Sequence, residues 1–94
     1  MDEREYHERA DAALAAIEAK LEAAEVDFEF APGGVLEIEP VGGGTIVVNK
    51  QSATREIWVA AKSGGFHYRW DGNVWVDTRS GEPLDAAMAR LAGC

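Results

Sequence analysis

From Asp2 to Ala24 apolar side chains recur every three or four residues, and Tyr6, Ala10, Ala13, Leu14, Ile17, Leu21 and Ala24 share one arc of a helical wheel. The stretch is rich in alanine and free of glycine and proline, so it predicts one amphipathic helix with that arc turned to the core. From Val26 onward the period changes to two. Val26, Phe28 and Phe30 alternate with Asp27 and Glu29, predicting a strand with its apolar row inward and its carboxylates outward. After a Pro32-Gly33-Gly34 turn come Val35 to Glu39, with Leu36 and Ile38 inward. Thr45 to Asn49 follows, with Ile46 and Val48 inward. The polar loop Lys50 to Thr54 leads to three further strands, Glu56 to Lys62, Phe66 to Trp70 and Asn73 to Asp77. Ser63-Gly64-Gly65 and Asp71-Gly72 separate them as turn signals. A second helix opens at Gly81-Glu82-Pro83-Leu84, places Leu84, Met88 and Leu91 on one face, and stops at Gly93.

The order helix, about six strands, helix predicts an α+β fold of one domain spanning residues 1–94. It is a two-layer αβ sandwich whose N- and C-terminal helices pack on one face of an antiparallel sheet. The other sheet face is left open. Alternation puts Ile57, Val59 and Ala61 inward, so Trp58 points away from the core, where it is either half covered by sheet neighbours or kept for a partner. Trp75 is read as a packed core residue, because a large aromatic adds so much burial to a small core.

Charge changes this picture from a fold to a function. The formal net charge is −8, and residues 1–29 hold ten acids against three bases, a net of −7. Glu8, Asp11, Glu18, Glu22 and Glu25 make an acidic stripe beside the core arc, and Asp27 and Glu29 extend it onto the first strand as a ridge from Glu18 to Glu29. Carboxylates at this spacing bring oxygen donors within reach of shared hard cations, although no glycine loop or fixed cage accompanies them. The alternative is a charge run that is only a solvated face. His7, one turn before Asp11, is either an imidazole donor to such a site or an ordinary surface histidine. His67, beside Arg69, reads as polar surface.

The acidity argues against nucleic-acid and anionic-membrane binding. No phosphate loop, dinucleotide fingerprint or nucleophile–histidine pair occurs, and Cys94 has no companion, so a binding role is expected rather than an enzyme. A charged start without an apolar core, no apolar run long enough for a membrane, and one cysteine predict a cytoplasmic protein. Asn49, Lys50, Gln51 and Trp58 are the candidate protein-docking patch, an aromatic among amide and lysine side chains.

Asn49-Lys50-Gln51, Ile57-Trp58-Val59-Ala60, Gly64-Gly65 with Tyr68, and Trp75 followed by Ser80-Gly81, all after the acidic helix, resemble the frataxin family in its bacterial branch. Tyr6-His7, Ala10-Asp11, Ile17-Glu18 and Leu21-Glu22 carry the same resemblance, which runs from about Glu5 to Leu91. It implies a weak surface site for ferrous and ferric iron at Glu18, Glu22, Glu25, Asp27 and Glu29, with Asp11 and His7 adjacent. It also implies a role in iron–sulfur cluster assembly, with the ridge docking on a basic patch of the cysteine desulfurase and Asn49, Gln51 and Trp58 meeting the scaffold protein. A monomer, with iron-dependent oligomers, is the expected state. Ala19 and Ala23 stand where bacterial relatives often carry second acids, so the ridge is thinner. The chain stops soon after the second helix, without the tail that stabilises some members, so modest stability is expected.

Overall fold

The computed structural model covers residues 1–94 and begins with helix α1, Glu3–Ala23. Asp2 caps it by accepting the Glu5 N–H at 2.8 Å, while Glu3 and Glu5 in the first turn and Lys20 in the last complement the helix dipole. Its end is a Schellman motif. The Val26 N–H bonds the Leu21 carbonyl at 2.9 Å and the Glu25 N–H bonds Glu22 at 3.1 Å, with Glu25 left-handed at φ 57°. Glycine is the usual residue there, and this chain uses a glutamate.

Six strands follow as one meander in sequence order, each antiparallel to the next: β1 (Asp27–Ala31), β2 (Val35–Glu39), β3 (Ile46–Gln51), β4 (Glu56–Ala61), β5 (Gly64–Trp70) and β6 (Trp75–Asp77). Helix α2, Leu84–Ala92, closes the chain and ends on left-handed Gly93. Both helices lie on one sheet face. The core joins Tyr6, Ala10, Leu14, Ile17 and Leu21 of α1, Leu84, Ala87, Met88 and Ala92 of α2, and the inward rows Leu36/Ile38, Ile46/Val48 and Ile57/Val59 with Tyr68 and Trp75. The Tyr6 hydroxyl donates to the Glu56 carbonyl at 2.7 Å and its ring meets Trp75 edge-on, fixing the start of α1 over β4 and β6.

The two-layer sandwich predicted from periodicity is the observed architecture, with Trp75 in the core. Several local expectations change. Ala24 is exposed, because the helix has ended and Ala24 is its cap. Phe30 is 47% exposed, although Val26 and Phe28 pack as expected; β1 is the sheet edge and Phe30 sits near its far end. Gly64 and Gly65 belong to β5, leaving Lys62-Ser63 as the turn. β6 starts only at Trp75, since the Asp71 carboxylate takes the N–H groups of Asn73 and Val74, both at 2.8 Å, and holds them in a turn. Lys50 and Gln51 extend β3 rather than starting a loop, and Lys50 falls on the inward row with Ile46 and Val48.

Candidate functional site

The acids of α1 divide into two groups. In the first three turns every one is engaged: Glu3 lies 3.9 Å from His7, Glu8 pairs with Arg4, Glu5 with Arg9 at 2.8 Å, and Asp11 with Lys50 at 2.6 Å. Further along, Glu18, Glu22 and Glu25 have no basic partner, because Lys20 turns instead to Asp85 of α2 at 3.2 Å. Glu18 is half-buried, while Glu22 and Glu25 are exposed. Asp27 and Glu29 are also exposed and unpaired on the open side of β1.

Hairpin register adds two carboxylates that sequence reasoning missed. Asp27 stands opposite Glu39 and Glu29 opposite Glu37, so four acids line one face of the β1–β2 ribbon. Like charges directly opposite destabilise a sheet by roughly 0.2–1 kcal/mol per pair. Glu37 and Glu39 share their parity with the outward residues of β2, so a tight reading of the Pro32–Gly34 turn carries the signal. The helix and ribbon groups meet at the Glu25 turn, giving seven carboxylates without a cationic partner. Nowhere do three histidine, cysteine, aspartate or glutamate side chains converge as a metal cage. The chemistry on offer is a strong local negative potential with oxygen donors spread along it.

His7 and Asp11 are not part of that free array. Lys50 reaches both, at 3.4 Å from His7 Nδ1 and 2.6 Å from Asp11 Oδ1, and the His7 ring packs edge-on against Tyr6. This removes Lys50 from the docking patch in which the sequence placed it, since inward alternation points its side chain to α1.

The open sheet face assembles around Trp58. Asn49 and His67 flank it on neighbouring strands, and the His67 ring stacks on the indole with centroids 4.3 Å apart and planes 7° from parallel. The Trp58 Nε1–H donates to Glu56 Oε1 at 2.7 Å, and the same oxygen accepts from Thr54 at 3.1 Å and lies 3.7 Å from His67 Nδ1. Gln51 stands opposite Glu56. Trp58 is thus half-buried, with its indole held in place by the His67 stack and the bond to Glu56. His67, read as plain polar surface, is the residue that sets this platform.

Reactive groups elsewhere are muted. Burial raises the Cys94 thiol and the Tyr6 hydroxyl above their ordinary values. The Tyr68 hydroxyl, buried without a hydrogen-bond partner, is pushed up to about 12. A half-open cleft of about 520 Å³ beside Arg79, Glu82 and Arg90, and a second of about 280 Å³ between α1 and Trp70, contain none of the predicted site residues. No helix is long and apolar enough to cross a membrane.

A helix-flanked antiparallel meander with unpaired acids on its first helix and first hairpin defines the class: residues 1–93 match the frataxin-like domain model, and the chain belongs to that family. Its similarity is to the bacterial CyaY members. It is 53% identical over 94 residues to the iron-sulfur cluster assembly protein CyaY of Dechloromonas aromatica, covering 98% of this chain and 90% of that one. It is 47% identical over 93 residues to the CyaY of Paraburkholderia phymatum, covering 98% and 89%. A solved frataxin structure from Psychromonas ingrahamii superposes with a TM-score of 0.81 at 29% identity, over 96% of this chain and 90% of that one.

Proposed function

We propose that this protein binds iron as cargo on its acidic ridge and acts as an iron donor or sensor in iron–sulfur cluster assembly. Regulation runs through contact with the cysteine desulfurase and the scaffold. The relatives named for iron–sulfur cluster assembly support the setting. The observation that carries the reading is the set of seven carboxylates, Glu18, Glu22, Glu25, Asp27, Glu29, Glu37 and Glu39, left without cationic partners in a chain that pairs its other helix acids. Ferrous iron accepts oxygen donors, and a convex array without a cage holds it weakly enough to hand it on. The same potential steers a basic patch of the desulfurase onto the ridge. Asn49, Gln51 and Trp58 form the scaffold-facing surface, with Trp58 as the aromatic anchor.

A second reading, an acidic docking module whose metal binding is incidental, is favoured by one observation: no three ligands converge. Anaerobic titration with Fe²⁺, Ca²⁺ and Mg²⁺ at physiological salt, followed by ridge amide shifts, separates the two. A response at lower Fe²⁺ than Ca²⁺ or Mg²⁺ supports iron binding, and equal responses to all three favour the docking module. Replacing Glu18, Glu22 and Glu25 by Gln should weaken iron and desulfurase binding together while the fold persists, because like-charge repulsion falls. Unfolding of that variant would count against the ridge as a solvated surface.

A further inference from the structure

We propose that Lys50 is a tethered counter-cation of the ridge: its ammonium occupies the His7–Asp11 end, so a metal ion loads the Glu18 to Glu29 end first and reaches Asp11 only by displacing Lys50. This rests on the ridge reading above. The geometry is specific. Lys50 Nζ lies 2.6 Å from Asp11 Oδ1 and 3.4 Å from His7 Nδ1, so one ammonium meets both donors a metal would need. Its side chain is only 21% exposed, against 62% for Asp11, so the lysine is held in place and the carboxylate is the accessible partner. The stem runs past the β1–β2 turn, where a Cβ on Gly34 would meet its Cε at 3.7 Å. A side chain guided in this way keeps its ammonium at a fixed address. Among the acids of the stripe, Asp11 is the one held by a base from the sheet.

The position of Lys50 in the chain gives the ion pair a second consequence. It stands between Asn49 and Gln51 on β3, whose side chains point to the open face beside Trp58. Metal that expels the ammonium from Asp11 releases a side chain rooted, through its backbone, between two residues of the docking row on the opposite sheet face. Linkage is reciprocal, so whatever holds the Lys50 side chain away from Asp11 on the α1 side of the sheet opens that end of the ridge to metal by the same factor.

The test uses the ¹⁵N-labelled full chain and Mn²⁺, whose unpaired electrons broaden amides near the bound ion. In the wild type, amides of residues 18–29 should broaden at about fivefold lower Mn²⁺ than those of His7 and Asp11, the separation expected from one partly buried ion pair. Lys50→Met keeps the apolar stem and should bring the two ends within about twofold; Lys50→Arg should retain the separation. Lys50→Gln replaces Lys50→Met if that variant loses spectral dispersion without metal. A separation that persists without the charge, or is absent from the wild type, overturns the role of Lys50 and leaves the ridge standing. Absence of broadening at both ends overturns the ridge reading and this inference with it.

Discussion

Glu25 holds two roles that pull in opposite directions, and replacing it measures both. It is a ridge carboxylate, and it occupies the left-handed position of the α1 Schellman motif at φ 57°. A residue with a Cβ costs roughly 1–2 kcal/mol there, and glycine removes that strain while giving back about 0.5–1 kcal/mol through the freedom of its unfolded chain. Loss of one charge from the unpaired array relieves a further ~0.2–0.5 kcal/mol of repulsion. Glu25→Gly should therefore stabilise the protein by about 1 kcal/mol, which raises Tm by roughly 4–8 °C in a domain of this size. Glu25→Gln keeps the backbone strain and removes only the charge, so it should recover no more than the ~0.2–0.5 kcal/mol of the repulsion. Urea and thermal unfolding of the three proteins at low and high salt supply the comparison, the charge part fading with salt and the backbone part not. A destabilised Glu25→Gly, or a Glu25→Gln that gains as much, refutes the argument. Both variants should weaken iron binding alike, since both lack the carboxylate.

The two buried tyrosines should respond in opposite senses to loss of their hydroxyls. Tyr6→Phe breaks the 2.7 Å bond to the Glu56 carbonyl and should cost about 1 kcal/mol, whereas Tyr68→Phe removes an unpartnered hydroxyl and should be neutral or stabilising by about 1 kcal/mol; chemical denaturation measures both. The raised Tyr68 value also predicts alkaline behaviour. Its folded state keeps the proton longer than the unfolded chain, so the stability it contributes is complete below pH 10 and is lost as pH rises to about 12, a slope that Tyr68→Phe should flatten. Trp58→Ala should leave iron-induced shifts on the ridge in place and weaken scaffold binding at least tenfold in a pull-down or calorimetric assay; unfolding instead would show that the indole and its His67 stack serve the core.

Periodicity alone was enough for the layers of this fold, because the change from a helical spacing to strict alternation at Val26 is abrupt and each strand keeps its parity. Trp75 could be placed by size and Trp58 by alternation. What parity could not show was the behaviour of ends. Phe30 has the parity of a core residue and lies near the end of the edge strand, and Ala24 continues the helical arc after the backbone has already turned at Glu25. Lys50 was grouped with Asn49 and Gln51 by adjacency in the chain, although neighbours on a strand face opposite ways. The acids Glu37 and Glu39 were visible as residues but not as part of the site, since their position depends on hairpin register.

The distribution of ion pairs argues that the ridge is kept bare rather than left bare by a shortage of cations. Lys62, Arg69 and Arg79 are exposed and form no ion pair, so basic side chains remain available in the chain. Arg69 and Arg79 lie on β5 and just after β6, at the sheet edge opposite the β1–β2 ribbon, whereas Lys62, in the β4–β5 turn, packs beside Gly44 of the β2–β3 loop and still pairs with none of the ridge acids. The uncompensated carboxylates leave a local negative potential at their corner of the molecule, which under the proposed function would steer a basic surface toward it. The cost falls on the same corner that carries the left-handed glutamate and the like-charged hairpin pairs. Strain and repulsion that a better-paired sequence would remove are thus concentrated at the corner where the proposed function places a cation or a basic partner that would relieve them.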